Sequence, residues 1–255
     1  MEPPSQTYPV KWYRGTVFSA WMVACIAFVC TGMFGAMNGM GAGGGRSPEV
    51  ANAANAIVFG LIATCSWFVG GVCNRIGPKW TLLIGTMGYA PYAAGFYVVD
   101  KYGQSWLSLV GAVLLGILGC FTWTASGAIY MGYPEEDRKG FSTALKFTLQ
   151  NMGASVGGIV SLALNLSASH RGSVSNTTYV VFIVIMCLGF PFALALPSPE
   201  RVQRHDGRRV VIKKSPSLAH EFKVLRALLQ TKAVLAAMPT MMYAQWFVSY
   251  QWQFN

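Results

Sequence analysis

The stretch NGMGAGGGRS, Asn38 to Ser47, holds a literal G-x-G-x-x-G at Gly39, Gly41 and Gly44, and what precedes it decides the fold. In a dinucleotide-binding unit that spacing follows a buried strand and opens a helix, so that backbone N–H groups at the helix N-terminus face a pyrophosphate. Here the preceding segment, Val17 to Asn38, is an unbroken apolar window. It is long enough to cross a hydrocarbon core, for which a helix needs about 20 residues. A second such window opens at Val50. The glycines therefore lie in a short loop between two membrane helices, and a bound nucleotide has no support. Glycine there permits positive φ and close backbone approach, and the spacings Gly35/Gly39 and Gly41/Gly45 suit helix packing in lipid.

The same pattern extends outward. Of the 255 residues 53% are hydrophobic and only 11% charged, against about 25% charged in a typical soluble domain. Seven apolar windows are expected to be helices: Val17 to Asn38, Val50 to Val72, Trp80 to Val99, Trp106 to Met131, Ser142 to Ala168, Thr178 to Leu196 and Ala233 to Gln251. A strand-built barrel would show segments of about ten residues with alternating polarity, and nothing here alternates that way. The first window is too long for the apolar region of a cleaved signal peptide and lacks a clean cleavage site. All six cysteines fall in or beside these windows, with no disulfide or zinc spacing. The three histidines, His170, His205 and His220, are scattered. No metal and no cofactor are expected.

Lys and Arg accumulate in cytoplasmic loops. With the N-terminus inside, sixteen of the 19 basic residues are cytoplasmic and only Arg46, Lys101 and Arg171 lie opposite. The net charge of +10 follows from this topology and from attraction to an anionic leaflet, so nucleic acid is not an expected partner. Residues 1–16 form a cytoplasmic N-terminal segment, 17–196 a six-helix transmembrane bundle, 197–232 a basic cytoplasmic linker and 233–255 a seventh transmembrane helix, expected to be truncated. Within the linker, Leu218, Phe222, Leu225 and Leu229 alternate with His220, Glu221, Lys223 and Arg226. That pattern predicts an amphipathic helix, which either lies in the membrane interface or packs under the bundle. Lys213, Lys214 and Ser215-Pro216 make a candidate phosphorylation site.

Between the second and third windows stands Gly70-Gly-Val-Cys-Asn-Arg-Ile-Gly-Pro-Lys79. Through Gly70, Asn74, Arg75, Gly77 and Lys79 it resembles the G-x-x-x-D-R/K-x-G-R/K-R/K signature of the major facilitator superfamily, with Asn74 in place of the aspartate. Four further stretches, Cys30 to Gly45, Asn74 to Tyr92, Tyr133 to Gly140 and Gln245 to Asn255, resemble in order the uncoordinated-ninety-three family, known as ion-channel regulatory proteins. The last departs from that family's Y-Q-F-N by an inserted Trp252-Gln253. The resemblance implies an all-α polytopic membrane protein with a major-facilitator-type six-helix N-terminal bundle plus the first helix of a second bundle, slightly more than half of a twelve-helix protein.

Polar groups inside lipid are costly and tend to face the bundle interior. The candidates to line a cavity are Asn38, Asn52, Asn55, Thr122, Thr124, Ser126, Gln150, Asn151, Tyr243 and Gln245; for each taken alone, interhelical hydrogen bonding is the plainer reading. No Asp or Glu lies within a window, and Lys146, near the start of the fifth, is the one ionisable side chain that could serve coupling in this half. Gly153, Gly157 and Gly158 are expected to pack helix five against a neighbour. No nucleophile–base pair, metal set or phosphate loop is present, so no catalytic residue is assigned and the chain is not expected to be an enzyme. Three functions remain: transport of a small solute, regulation or trafficking of another membrane protein such as an ion channel, or an inactive truncated product. The lipid bilayer is the one partner expected in every case.

Overall fold

A computed structural model of the chain describes residues 11–40, 48–166, 174–205, 207, 209–210 and 218–254. Gly41 and Gly44 of the glycine run, and the Lys213 to Ser217 segment, lie outside the described residues. Six helices are long and apolar enough to cross a membrane: α1 (Thr16–Gly39), α2 (Glu49–Ile76), α3 (Pro78–Tyr102), α4 (Trp106–Gly132), α5 (Glu136–Asn165) and α6 (Asn176–Ala195). Two isolated bridges, Gly15 with Gln203 and Gln203 with Arg209, are the only β pairings among the described residues.

The helices overrun the apolar windows mainly at charged ends. α2 carries on through Asn74 and Arg75 to Ile76, and α5 begins at Glu136 rather than Ser142. Lys and Arg at such ends keep their stems on apolar surface and their heads in water, so charge does not terminate the helix there. Two further helices follow, α7 (Leu218–Leu229) and α8 (Lys232–Phe254). α8 forms where the seventh span is expected; it is not one of the six membrane-crossing candidates found among the described residues, and Pro239, Thr240, Gln245, Ser249 and Gln251 lower its apolar content. α7 touches α2, and α8 touches α1.

Packing follows an exchange pattern. α1 lies against α5 and α6, while α4 lies against α2 and α3, and α3 meets α6. Swapping the first three helices for the last three leaves these pairings unchanged. Cys30, Met33 and Met37 of α1, Tyr92 and Phe96 of α3, and Phe182 and Met186 of α6 share one buried core. In α2 and α5 only 22% and 17% of the membrane-crossing window is buried, against 61% in α1 and α3. Those two helices therefore present the broadest uncovered faces. Exposed Trp12, Tyr13 and Trp80 at one end, and exposed Tyr102 and Trp106 at the other, form the aromatic girdles that membrane interfaces favour.

The α1–α5 contact is close. A Cβ on Gly153 would fall on the Phe28 carbonyl, and one on Gly32 would stand 2.7 Å from the Gln150 carbonyl oxygen and 2.9 Å from Gly153 Cα. Backbone touches backbone here, as small residues permit in lipid. α1 winds as a π-helix over Ala27–Gly32 at this crossing, and the Thr31 hydroxyl donates to the Ala27 carbonyl at 2.7 Å.

At the end carrying residues 11–15, here the basic end, part of the expected linker is folded. Val202 and Val210 are buried, and Val210 N–H donates to the Val202 carbonyl at 3.1 Å. Gln203 N–H donates to the Arg14 carbonyl at 2.8 Å, Arg204 Nε to the Tyr133 carbonyl at 3.3 Å, and His205 N–H to Glu135 Oε1 at 2.7 Å. Burial raises the pKa of the Tyr133 phenol beneath them.

Candidate functional site

Three polar arrangements interrupt the apolar bundle. The first joins three helices. Asn55 Nδ2 of α2 donates to Asn38 Oδ1 of α1 at 2.8 Å, and the Tyr92 hydroxyl of α3 donates to Asn55 Oδ1 at 3.0 Å. Asn38 Nδ2 donates in turn to the Phe34 carbonyl at 2.9 Å. Asn55 is the hub, and Asn38 and Tyr92 are buried.

The second centres on Lys146 of α5, which is 1% exposed. Its ammonium donates to Gln150 Oε1 at 2.7 Å. The ring centroids of Phe147, Trp123 and Tyr130 lie 3.9, 4.2 and 5.8 Å from Nζ. Two of these rings come from α4, so the cage forms only when α4 and α5 pack. A cation over ring faces at such distances is held by the ring quadrupole.

The third is the turn between α2 and α3 at the basic end. Gly77 sits at φ +88° and ψ 151°, a region open essentially to glycine alone. Its N–H donates to the Cys73 carbonyl at 2.9 Å, and its own carbonyl accepts from Thr81 N–H at 3.1 Å. Lys79 Nζ donates to the Leu194 carbonyl in the last turn of α6 at 2.9 Å, a favourable place for a cation on the helix dipole. Gly70 and Asn74 are half-buried and Arg75 is exposed. Gly77→Ala is expected to cost about 1–3 kcal/mol through backbone strain, read as a lowered unfolding midpoint in detergent.

The remaining sequence candidates take varied places. Thr122 is buried against Gly85, Ser126 Oγ donates to the Trp123 carbonyl at 3.0 Å, and Thr124 is half-buried. Asn52, Asn151 and Tyr243 are exposed; Asn151 Nδ2 donates back to the Phe147 carbonyl at 2.8 Å. The side chain of Gln245 lies outside the described residues. Gly153 and Gly157 lie under α1, Gly157 against Ala36 and Met33. Gly158 does not share that contact: a Cβ there meets nothing within 4 Å, because one residue turns it about a quarter of the way round the helix. It belongs instead to an exposed stripe of Ala144, Thr148, Asn151, Ser155 and Gly158, spaced by four, three, four and three residues. α2 carries a comparable exposed series, Asn52, Ala56, Gly60 and Ala63.

Tyr92, Trp123, Tyr130 and Phe147 escaped the sequence reasoning, since aromatic residues within an apolar window count as core. Among the described residues no three His, Cys, Asp or Glu side chains gather as a metal site.

Six membrane-crossing helices linked through interior polar groups define an integral, multi-pass membrane protein. The chain belongs to the UNC-93 family: the family described as ion channel regulatory protein UNC-93 matches residues 50–252. It is 36% identical to Notoamide biosynthesis cluster protein O' of Aspergillus versicolor, over 94% of this chain and 52% of that protein. An UNC93-like protein of Schizosaccharomyces pombe is 35% identical over 94% of this chain and 47% of its own length. UNC93-like protein 1 of Arabidopsis thaliana is 32% identical over 94% and 53% respectively. The chain thus spans about half the length of these curated relatives. No solved structure matches it.

Proposed function

We propose that the chain forms the first half-bundle of a facilitator-type membrane protein, with its basic end cytoplasmic, in which α2 and α5 border a path for a small solute. The observation that carries this is the exposed stripe Thr148, Asn151, Ser155 and Gly158 on a membrane-crossing helix. Polar side chains at membrane depth face protein or a water-filled cavity rather than lipid. The exchange of packing partners between the first and last three helices supports the reading, because transporter folds are built from such repeats. The distribution of Lys and Arg supports the orientation.

A second reading has α5 dock on another membrane protein and regulate it. The family's description favours it, and so do the small residues of the stripe, which suit close helix contact. Single cysteines at Thr148, Asn151 and Ser155, with the six native cysteines replaced, separate the two in membranes. Transport predicts reaction with a charged, water-soluble thiol reagent. Regulation predicts unreactive positions that cross-link to a second membrane protein. Positions that do neither contradict both readings.

A further inference from the structure

Lys146 is the one charged side chain fully buried among the described residues. A lysine near a helix end ordinarily snorkels outward to the interface. This one turns the other way, since its ammonium bonds Gln150, one turn further along α5 and away from the basic end. Among the described residues no carboxylate makes an ion pair with it; the ion pair of Lys139 with Glu136 lies outside the cage. The ammonium makes one hydrogen bond, to Gln150, and its Nζ lies over the rings of Trp123 and Phe147. Those rings are 41% and 40% exposed, so they close the cage as lids at the bundle surface.

We infer that the Lys146 cage is a binding site for the anionic head of an amphipathic organic molecule, a carboxylate or phosphate with an apolar body, that enters between α4 and α5. An oxyanion accepts charge-assisted hydrogen bonds from an ammonium, roughly twice as strong as neutral ones, and so displaces the ring faces from Nζ. Gln150 points its carbonyl oxygen at Lys146, which leaves its amide N–H groups to donate to the same anion. Trp123, Phe147 and Tyr130 then receive the apolar body. This names a ligand class for the proposed solute path and rests on that reading only in placing α4 and α5 within the membrane. The same headgroup chemistry is offered by a free amphiphile and by an anionic lipid.

The test uses the full chain in nanodiscs, with its eight tryptophans replaced by 5-fluorotryptophan and the Trp123 resonance assigned through Trp123→Phe. Octanoate and octyl phosphate are titrated into phosphatidylcholine discs, and phosphatidylserine discs without added anion supply the lipid arm. A saturable shift of the Trp123 signal in the first arm identifies a free ligand, and one in the second a lipid headgroup. Affinity is expected to fall at least about tenfold in Lys146→Met and to hold within about threefold in Lys146→Arg, while octanol moves nothing. No shift in either arm, or an equal shift with octanol or in Lys146→Met, overturns the inference and marks the effect as an adventitious additive only. Should Lys146→Met fail to fold, acylation of Lys146 in the native chain replaces it: octanoate must protect the amine, and equal labelling with and without octanoate overturns the site. Unreactive cysteines in the stripe together with a Trp123 shift would refute the solute path and leave the anion site standing; the converse pair of results would do the reverse.

Discussion

Gly153→Leu is expected to abolish the α1–α5 crossing and with it the folded bundle. The added side chain has no flexible neighbour to push aside, since its first carbon already overlaps the Phe28 carbonyl and sits against the Phe28 backbone. Overpacking of a tight core costs about 1–3 kcal/mol where side chains can shift, and a backbone obstacle places this change at or above the upper end. Loss of the monodisperse peak in detergent gel filtration reads the effect. Gly158→Leu is the matched control: with nothing within 4 Å, it is expected to change stability by less than about 0.5 kcal/mol. Equal tolerance of both substitutions would show that α5 is rotated from the position described.

Asn55→Leu is expected to have the next largest effect, because Asn55 joins α1, α2 and α3 through side-chain hydrogen bonds. Both its bonds, to Asn38 and from Tyr92, are lost together. Intramembrane hydrogen bonds contribute about 0.6–2 kcal/mol each, which gives an expected loss of about 1–4 kcal/mol. Tyr92→Phe alone removes one bond and costs less. In the Asn55→Leu background, Tyr92→Phe should cost almost nothing further, since residues in one network couple. Strict additivity in that double-mutant cycle would mean that the two side chains do not interact in the membrane.

The membrane class and the six spans were legible because lipid imposes a length and a polarity on every helix. The π turn over Ala27–Gly32 was not, since hydropathy carries no information on whether a carbonyl reaches four or five residues ahead. Asn38 and Asn55 stood out as polar groups in apolar windows, but their partner Tyr92 did not, because its hydroxyl is the polar tip of a residue that otherwise packs as core. Lys146 was visible as an ionisable group near a helix start. Its inward turn depends on Trp123 and Tyr130 of a separate helix, and only the α4–α5 packing brings them together. Adjacent glycines at 157 and 158 could not be told apart without the rotation of α5. Val202 and Val210 were hidden in a stretch whose composition is that of a linker, and their burial follows from the bridge through Gln203 to the N-terminal segment.

The central claim is that the polar stripe of α5 does not face lipid, and collision rates of nitroxide labels with molecular oxygen, which partitions into hydrocarbon, test it most directly. Labels at Asn151 and Ser155 are compared with one at Val184, an exposed apolar position midway along α6, in the membrane of cells expressing the gene. Oxygen collision rates clearly lower at Asn151 and Ser155 than at Val184 are the expected result. Equal rates at all three positions would place the stripe in lipid and contradict the account.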